Sequence, residues 1–472
     1  MKNAMNGNGL SREIGLFSAT ILVIANMVGT GIFTTSGFIM AELGNPRALL
    51  LCWFCGGVFA LCGALCYGEL GARFPKAGGE YVFLRESFGK PVGFLSGWIS
   101  LIVGFSAPIA AAAIAFGGYF FQAFSIPAGE KTVVGLFGVN LITLSPATFA
   151  AIGVICLFTL VHYHSLRMGS RVQNLLTLFK VFLVVAFLIA GFFSGNGSFN
   201  HLQATQTLSS PLSAEKFAIA LIFVSFAYSG WNAAAYLGSE IIDPKRNIPR
   251  ALFIGTAVVI LLYLFLNLIY IYAVSPGEMI GVMEIGATAA IHLFGENVSR
   301  IFSGAVALGI LSVLSAMVMT GPRIYYAMSK DGVFFPVFGK LNSAHKTPAS
   351  SIFLQAAIAV VMVLSASFET LLIYIGFTLS LFASLTVIGL MRIRMMSLEE
   401  QKGYNTWGYP VTPLVFIGCN LWIILYSVKS RPVTALFGLA TIGLGMVAYA
   451  FFERRQSRKS GLAQLKPVEN KK

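Results

Sequence analysis

The stretch VIANMVGTGIFTTSG, residues 23–37, decides the fold. It lies inside an apolar run, about residues 15–42, long enough to cross a bilayer as a helix. Its middle reads Gly29-Thr30-Gly31. Each glycine costs a helix about 1 kcal/mol relative to alanine, and an unpaired backbone amide in hydrocarbon costs several times that. A helix loosened at this depth survives only where protein or a watered cavity satisfies its backbone. Close packing against a neighbouring helix is the blander use of small residues in a span.

The rest of the chain is built for the same solvent. Its 472 residues are 57% hydrophobic and 11% charged, with a mean hydropathy of +0.80, where soluble domains carry about 25% charge. Twelve apolar blocks follow one another at roughly 15–42, 46–71, 91–124, 146–166, 171–194, 214–241, 249–274, 298–328, 349–367, 370–394, 410–428 and 433–452. The expected fold class is an all-α polytopic membrane protein of about twelve helices. One transmembrane domain, residues 14–453, is expected between a tail at 1–13 and a basic tail at 454–472. The first block is too long for a signal peptide and lacks a small-residue cleavage site, so it stays as a helix.

Lysines and arginines give the orientation. With both termini in the cytoplasm, the cytoplasmic segments hold 25 of the 32, and the outer ones only Arg47, Lys131, Lys216, Arg300, Lys429 and Arg431. This is the positive-inside bias, and it absorbs the net charge of +14 without any nucleic-acid partner. The location expected is the cell membrane. Neither HExxH nor a Walker-type loop occurs, so no enzyme, metal or cofactor is expected. Cys52, Cys55, Cys62 and Cys66 share one face of the second helix, but no His or carboxylate joins them, and they read as small apolar packing residues. The segment 73–90 predicts a short amphipathic helix along the membrane surface, and 275–296 an outer gate.

The sixth block is loosened as the first is. FVSFAYSGWNAAAYLGSEIIDPKRNIPRAL, residues 223–252, breaks at Ser229-Gly230-Trp231. Each break is followed by a similar string, Asn45-Pro46-Arg47-Ala48-Leu49 and Ile248-Pro249-Arg250-Ala251-Leu252. The two strings fall on opposite sides of the membrane, so the second unit is inverted. Paired glycine interruptions point to a 5+5 inverted-repeat transporter, with repeats at about 14–195 and 213–395 and peripheral helices at about 408–453. Where a helix stops and restarts, free N–H groups carry partial positive charge and free C=O groups partial negative charge. The N–H groups around Val28, Gly29, Thr30, Gly31 and Ile32 suit a carboxylate. The carbonyls of Phe226, Ala227 and Ser229 suit an ammonium group, with Gly230, Trp231 and Asn232 completing or gating the pocket. Together they predict a receptor for the zwitterionic end of an α-amino acid. Small residues at 106–118 either set its width or serve close helix packing.

VGTGIF, GALCYGELGARFPKAGGEY, RVQNLLTLFK, FAYSGWN and EIIDPKRNIPRAL also carry a resemblance. Over residues 11–455 the chain resembles the amino acid–polyamine–organocation permeases, nearest to their L-type amino acid transporter branch. The resemblance implies ten core helices plus two, with amino-acid transport by alternating access. The family's sixth-span break usually reads Gly-Gly-Trp-Asn, and Ser229 here adds a hydroxyl. Animal members of that branch join a glycoprotein through a cysteine between the third and fourth helices. Residues 125–146 contain none, so no disulfide-linked heavy chain is expected.

Lys180 is the one basic residue near mid-depth. A charge there costs at least about 3 kcal/mol and marks function by default, with snorkelling to the interface as the alternative. The resemblance implies that Lys180 reaches carbonyls near Gly29 and a hydroxyl on the eighth helix, Ser312 or Ser315, in the place where sodium-coupled relatives hold their ion. Either a proton is coupled there or a fixed ammonium serves an exchanger. Aspartate occurs only at 243 and 331, and no glutamate falls mid-span. A cationic side chain would need a partner carboxylate, so the expected substrate is a neutral amino acid. An amine, polyamine or cationic amino-acid antiporter is the runner-up, and a non-transporting amino-acid sensor the third reading.

Overall fold

The structure, a computed structural model, describes residues 12, 14–76, 78–126, 132–136, 139–164, 166–203, 213–342, 347–396 and 403–464. Among them are ten helices long and apolar enough to cross a membrane. Two further apolar helical segments complete twelve spans: the interrupted sixth, Ala214–Tyr228 with Ala233–Tyr236, and the short ninth, Ala349–Ser365. The chain is an all-α, multi-pass membrane protein. The second span, Pro46–Arg73, lies along the seventh, Pro244–Ala273. The third, Lys90–Ala123, lies along the eighth, Glu296–Lys330, which also packs on the fifth, Leu166–Phe193. These pairs wall in the two broken spans.

The first span runs as Leu16–Met27, Thr30–Thr34 and Ser36–Leu43. It ends at Gly44, whose φ of 55° suits a residue without a Cβ. The Asn45 side chain then accepts from the Arg47 and Ala48 N–H groups, and Pro46 opens the second span. The similar string near the seventh span works differently. That helix starts at Pro244, so Pro249 lies inside it, where it removes one backbone donor but leaves the helix intact. The two strings therefore do not mark equivalent helix starts.

The third span carries a wide turn at Ser100–Ser106, just ahead of Pro108. Proline has no N–H for the regular ladder. The Ser106 hydroxyl donates to the Leu101 carbonyl at 2.6 Å, five residues back, and so occupies the opened turn. Such bulges concentrate at functional sites.

Charge gathers at one end of the bundle, hereafter the basic end. Glu69, fully buried, accepts from Arg73 at 2.7 Å, from Arg394 at 2.5 and 2.8 Å, and from Thr406. Glu240 holds Arg323 at 3.1 Å, and Arg85 pairs with Asp331. Ile14 is laced to the same end through Glu240 and Ile242. The short helix in the 73–90 segment, Glu80–Phe88, differs from the expected surface helix. Glu80, Tyr81, Val82, Phe83 and Leu84 are buried, so it plugs the bundle rather than floating on lipid.

At the opposite end, Pro276–Met279 and Ile285–Phe294 fold over the first span. Gly281 N–H donates to the Gly37 carbonyl at 3.0 Å, and a Cβ on Gly37 would meet the Val282 carbonyl at 2.1 Å. Residues 132–136 and 139–144 form a small antiparallel hairpin between the third and fourth spans, which the sequence reading treats as loop.

Candidate functional site

The helix of the first span stops at Met27, and Val28 and Gly29 are non-helical, Gly29 being extended. The sixth span stops at Tyr228 and restarts at Ala233. Gly230 has a φ of 96°, and a Cβ there would meet the Asn26 carbonyl oxygen at 2.8 Å. Only glycine combines that conformation with that approach. A Cβ on Gly31 would lie 2.4 Å from the Ala227 Cα. The two breaks therefore touch backbone to backbone.

Between them is a hollow of about 20 Å³, room for roughly one water. It is lined by Asn26, Met27, Gly29, Thr30, Gly31, Phe226, Ala227 and Ser229 from the breaks. Pro108 and Ala112 of the third span and Val313 and Met317 of the eighth close it. No ionisable side chain lines it. Among the described residues, no hydrogen-bond acceptor faces the N–H groups of Thr30, Gly31 and Ile32, the open start of the resumed helix. The Phe226 carbonyl already accepts from Ser229 N–H at 2.9 Å. The Ser229 carbonyl has no donor facing it among the described residues.

The other expected residues sit around this hollow. Val28 and Ile32 are fully buried in packing. Trp231 turns away, its ring 4.7 Å from Tyr67 and 6.0 Å from Phe416, over Gly63. Asn232 faces the basic end and donates to Glu80. Lys180 is completely buried, its stem against Gly309, and its Nζ donates to the Ala25 carbonyl at 2.9 Å. Ser312 donates back to Gly309, and Ser315 shares a 2.9 Å hydrogen bond with His162. Neither hydroxyl is seen on the Lys180 ammonium.

Tyr263 escapes a sequence reading because it sits in an unbroken apolar run of the seventh span. Its hydroxyl donates to the Met27 carbonyl at 2.5 Å and toward the Ala227 carbonyl at 3.1 Å. Its single proton serves the nearer Met27 carbonyl and is at most shared with Ala227, so one side chain sits between a carbonyl of each break. Asn267, one turn further, accepts from Ser36 at 2.6 Å and donates to the Tyr263 carbonyl at 2.8 Å. The Tyr263→Phe variant is expected to lose about 1–3 kcal/mol of stability, the cost of a buried carbonyl left without its donor. A lowered midpoint in thermal unfolding of the purified protein checks this.

Residues 14–452 match the amino acid permease family, which is nearly the whole described bundle including both breaks. The chain belongs to that family. The permease is 29% identical over 446 residues to the large neutral amino acids transporter small subunit 2 of Mus musculus, covering 94% of this chain and 81% of that protein. It is 28% identical over 458 residues to the serine/threonine exchanger SteT of Bacillus subtilis (strain 168), covering 95% and 99%. Identity to the b(0,+)-type amino acid transporter 1 of Mus musculus is 28% over 455 residues, covering 94% and 88%. This permease is thus an amino-acid transporter and not an enzyme.

Proposed function

We propose that the permease moves neutral L-amino acids across the cell membrane by alternating access, by exchange or with protons rather than sodium. The open N–H groups at Thr30–Ile32 take the substrate carboxylate, and carbonyls of the sixth-span break, Ser229 foremost, take its ammonium group. The observation carrying this reading is a hollow walled by two helix breaks and free of ionisable side chains. An α-amino acid brings one charge of each sign, and helix ends supply the complement without a buried ionised residue. A lysine or polyamine substrate brings a further cation, which this lining does not match. The large neutral and serine/threonine substrates in the relatives' names agree with that preference.

In this closed form the hollow admits water but no amino acid, so binding requires the breaks to separate. We read the two halves as inverted repeats that rock about them. The basic end is the cytoplasmic one, following the charge bias, and carries both termini. Lys180 holds the place of a sodium ion beside Ala25, which removes any need for sodium. No disulfide-linked partner is part of this reading, because residues 125–146, where animal members of the resembling branch carry the linking cysteine, contain none.

Purified protein in liposomes tests this with a panel of neutral amino acids, plus lysine, arginine and putrescine. Uptake of neutral substrates is expected, unaffected by replacing sodium. Uptake that needs internal amino acid at every pH identifies exchange, and uptake that follows a proton gradient identifies symport. Preferential uptake of cations or strict sodium dependence would overturn the reading.

A further inference from the structure

Glu80 opens the plug helix Glu80–Phe88 and is 7% exposed. Its Oε1 accepts from the Tyr67 hydroxyl at 2.6 Å and from Asn232 Nδ2 at 3.2 Å. Asn232 also reaches the Tyr236 hydroxyl at 3.4 Å. Asn232 follows the sixth-span break directly, so one side chain joins the substrate-side backbone to the plug. Glu69 and Glu240, at the same end, each hold arginine. Among the described residues no cation pairs with Glu80.

The groups around it are neutral. The second span presents Tyr67 and the sixth Asn232 and, beside it, Tyr236; Tyr325 of the eighth span lies near Tyr236 and donates its hydroxyl to Gln355. On the tenth span, Arg394 is bound to Glu69 and Arg392 stacks over Phe88. On the plug helix itself, Tyr81 and Arg85 turn to Asp331, and Glu86 pairs with Arg85 and Lys76. A carboxylate buried without a cation is costly as an ion and much less so as a neutral acid. Burial pushes the Glu80 carboxyl above the usual carboxylate range, outweighing the Tyr67 and Asn232 hydrogen bonds that favour the ion.

We propose that Glu80 binds a proton while the basic end is closed and releases it when that end opens, making the plug helix a proton-linked latch on the sixth-span break. The opening step rests on the transport reading above. The closed state has the higher proton affinity, so its added stability is full below the open-state pKa and is lost as pH rises through the closed-state pKa. Acid at the basic end therefore holds the gate shut.

The test has two arms. Dicyclohexylcarbodiimide attacks protonated carboxyls in apolar surroundings. On the wild-type protein in liposomes, the adduct on the Glu80 peptide, measured by mass spectrometry, is expected on the acid side and should fall away as pH rises. No adduct at any pH, or one independent of pH, overturns the latch. In the second arm, wild-type exchange is expected to slow several-fold when the basic end is acidified, and E80Q to exchange without that slowing. Identical pH profiles also overturn it. A wild-type protein that transports nothing defeats the transport reading, while the carbodiimide profile still decides whether Glu80 is protonated.

Discussion

Replacing Gly31 with alanine is expected to silence uptake of every amino acid in the liposome panel while leaving a folded protein. The added methyl would lie 2.4 Å from the Ala227 Cα and 2.6 Å from its Cβ, so the two breaks must move apart. Overpacking of this kind costs about 1–3 kcal/mol, which a large membrane protein survives. The damage falls on the hollow, because Gly31 and Ala227 both line it. A methyl there occupies the space a substrate backbone would take and turns the Gly31 N–H. Gel filtration and thermal unfolding separate this from misfolding. Uptake within about twofold of wild type, against the order-of-magnitude loss that a misplaced binding group brings, would mean that the breaks do not meet in the working cycle.

The Lys180→Ala variant should lose coupling, the second large effect. Lys180 donates to the Ala25 carbonyl from a fully buried position and packs its stem on Gly309 of the eighth span. Truncation removes a charge and the strut joining the first, fifth and eighth spans. If Lys180 stands in for an ion, exchange should fall by about tenfold or more, the loss expected for a charge-assisted hydrogen bond of about 1.5–3 kcal/mol. Any residual uptake should ignore a pH step. Coupling and rate equal to wild type would remove Lys180 from the mechanism.

Much of this was legible from local pattern. The first span leaves helical geometry at Val28-Gly29 and resumes at Thr30, so of the Gly29-Thr30-Gly31 triplet only Gly29 is non-helical, while the sixth span is broken at Ser229-Gly230; glycine weakens a helix wherever it occurs. The burial of Lys180 follows from its distance along an apolar helix. Other features had no local signature. Trp231 packs on Tyr67 and Phe416 instead of lining the hollow, since the turn at Gly230 redirects it. Ser315 bonds to His162, a residue on another span. The second Pro-Arg-Ala-Leu string lies within a helix because Pro244 had already started it.

From sequence alone came the membrane solvent, the number of spans, the two weak points and the absence of mid-span acids. Each depends on hydropathy or helix propensity summed over neighbouring residues. Tertiary structure alone decided that the breaks touch, that Tyr263 sits between a carbonyl of each, and that Glu80 is sealed beneath them without a cation. Those outcomes depend on which polar atoms different spans bring within about 3 Å of one another, and packing sets that separation where no window along the chain can.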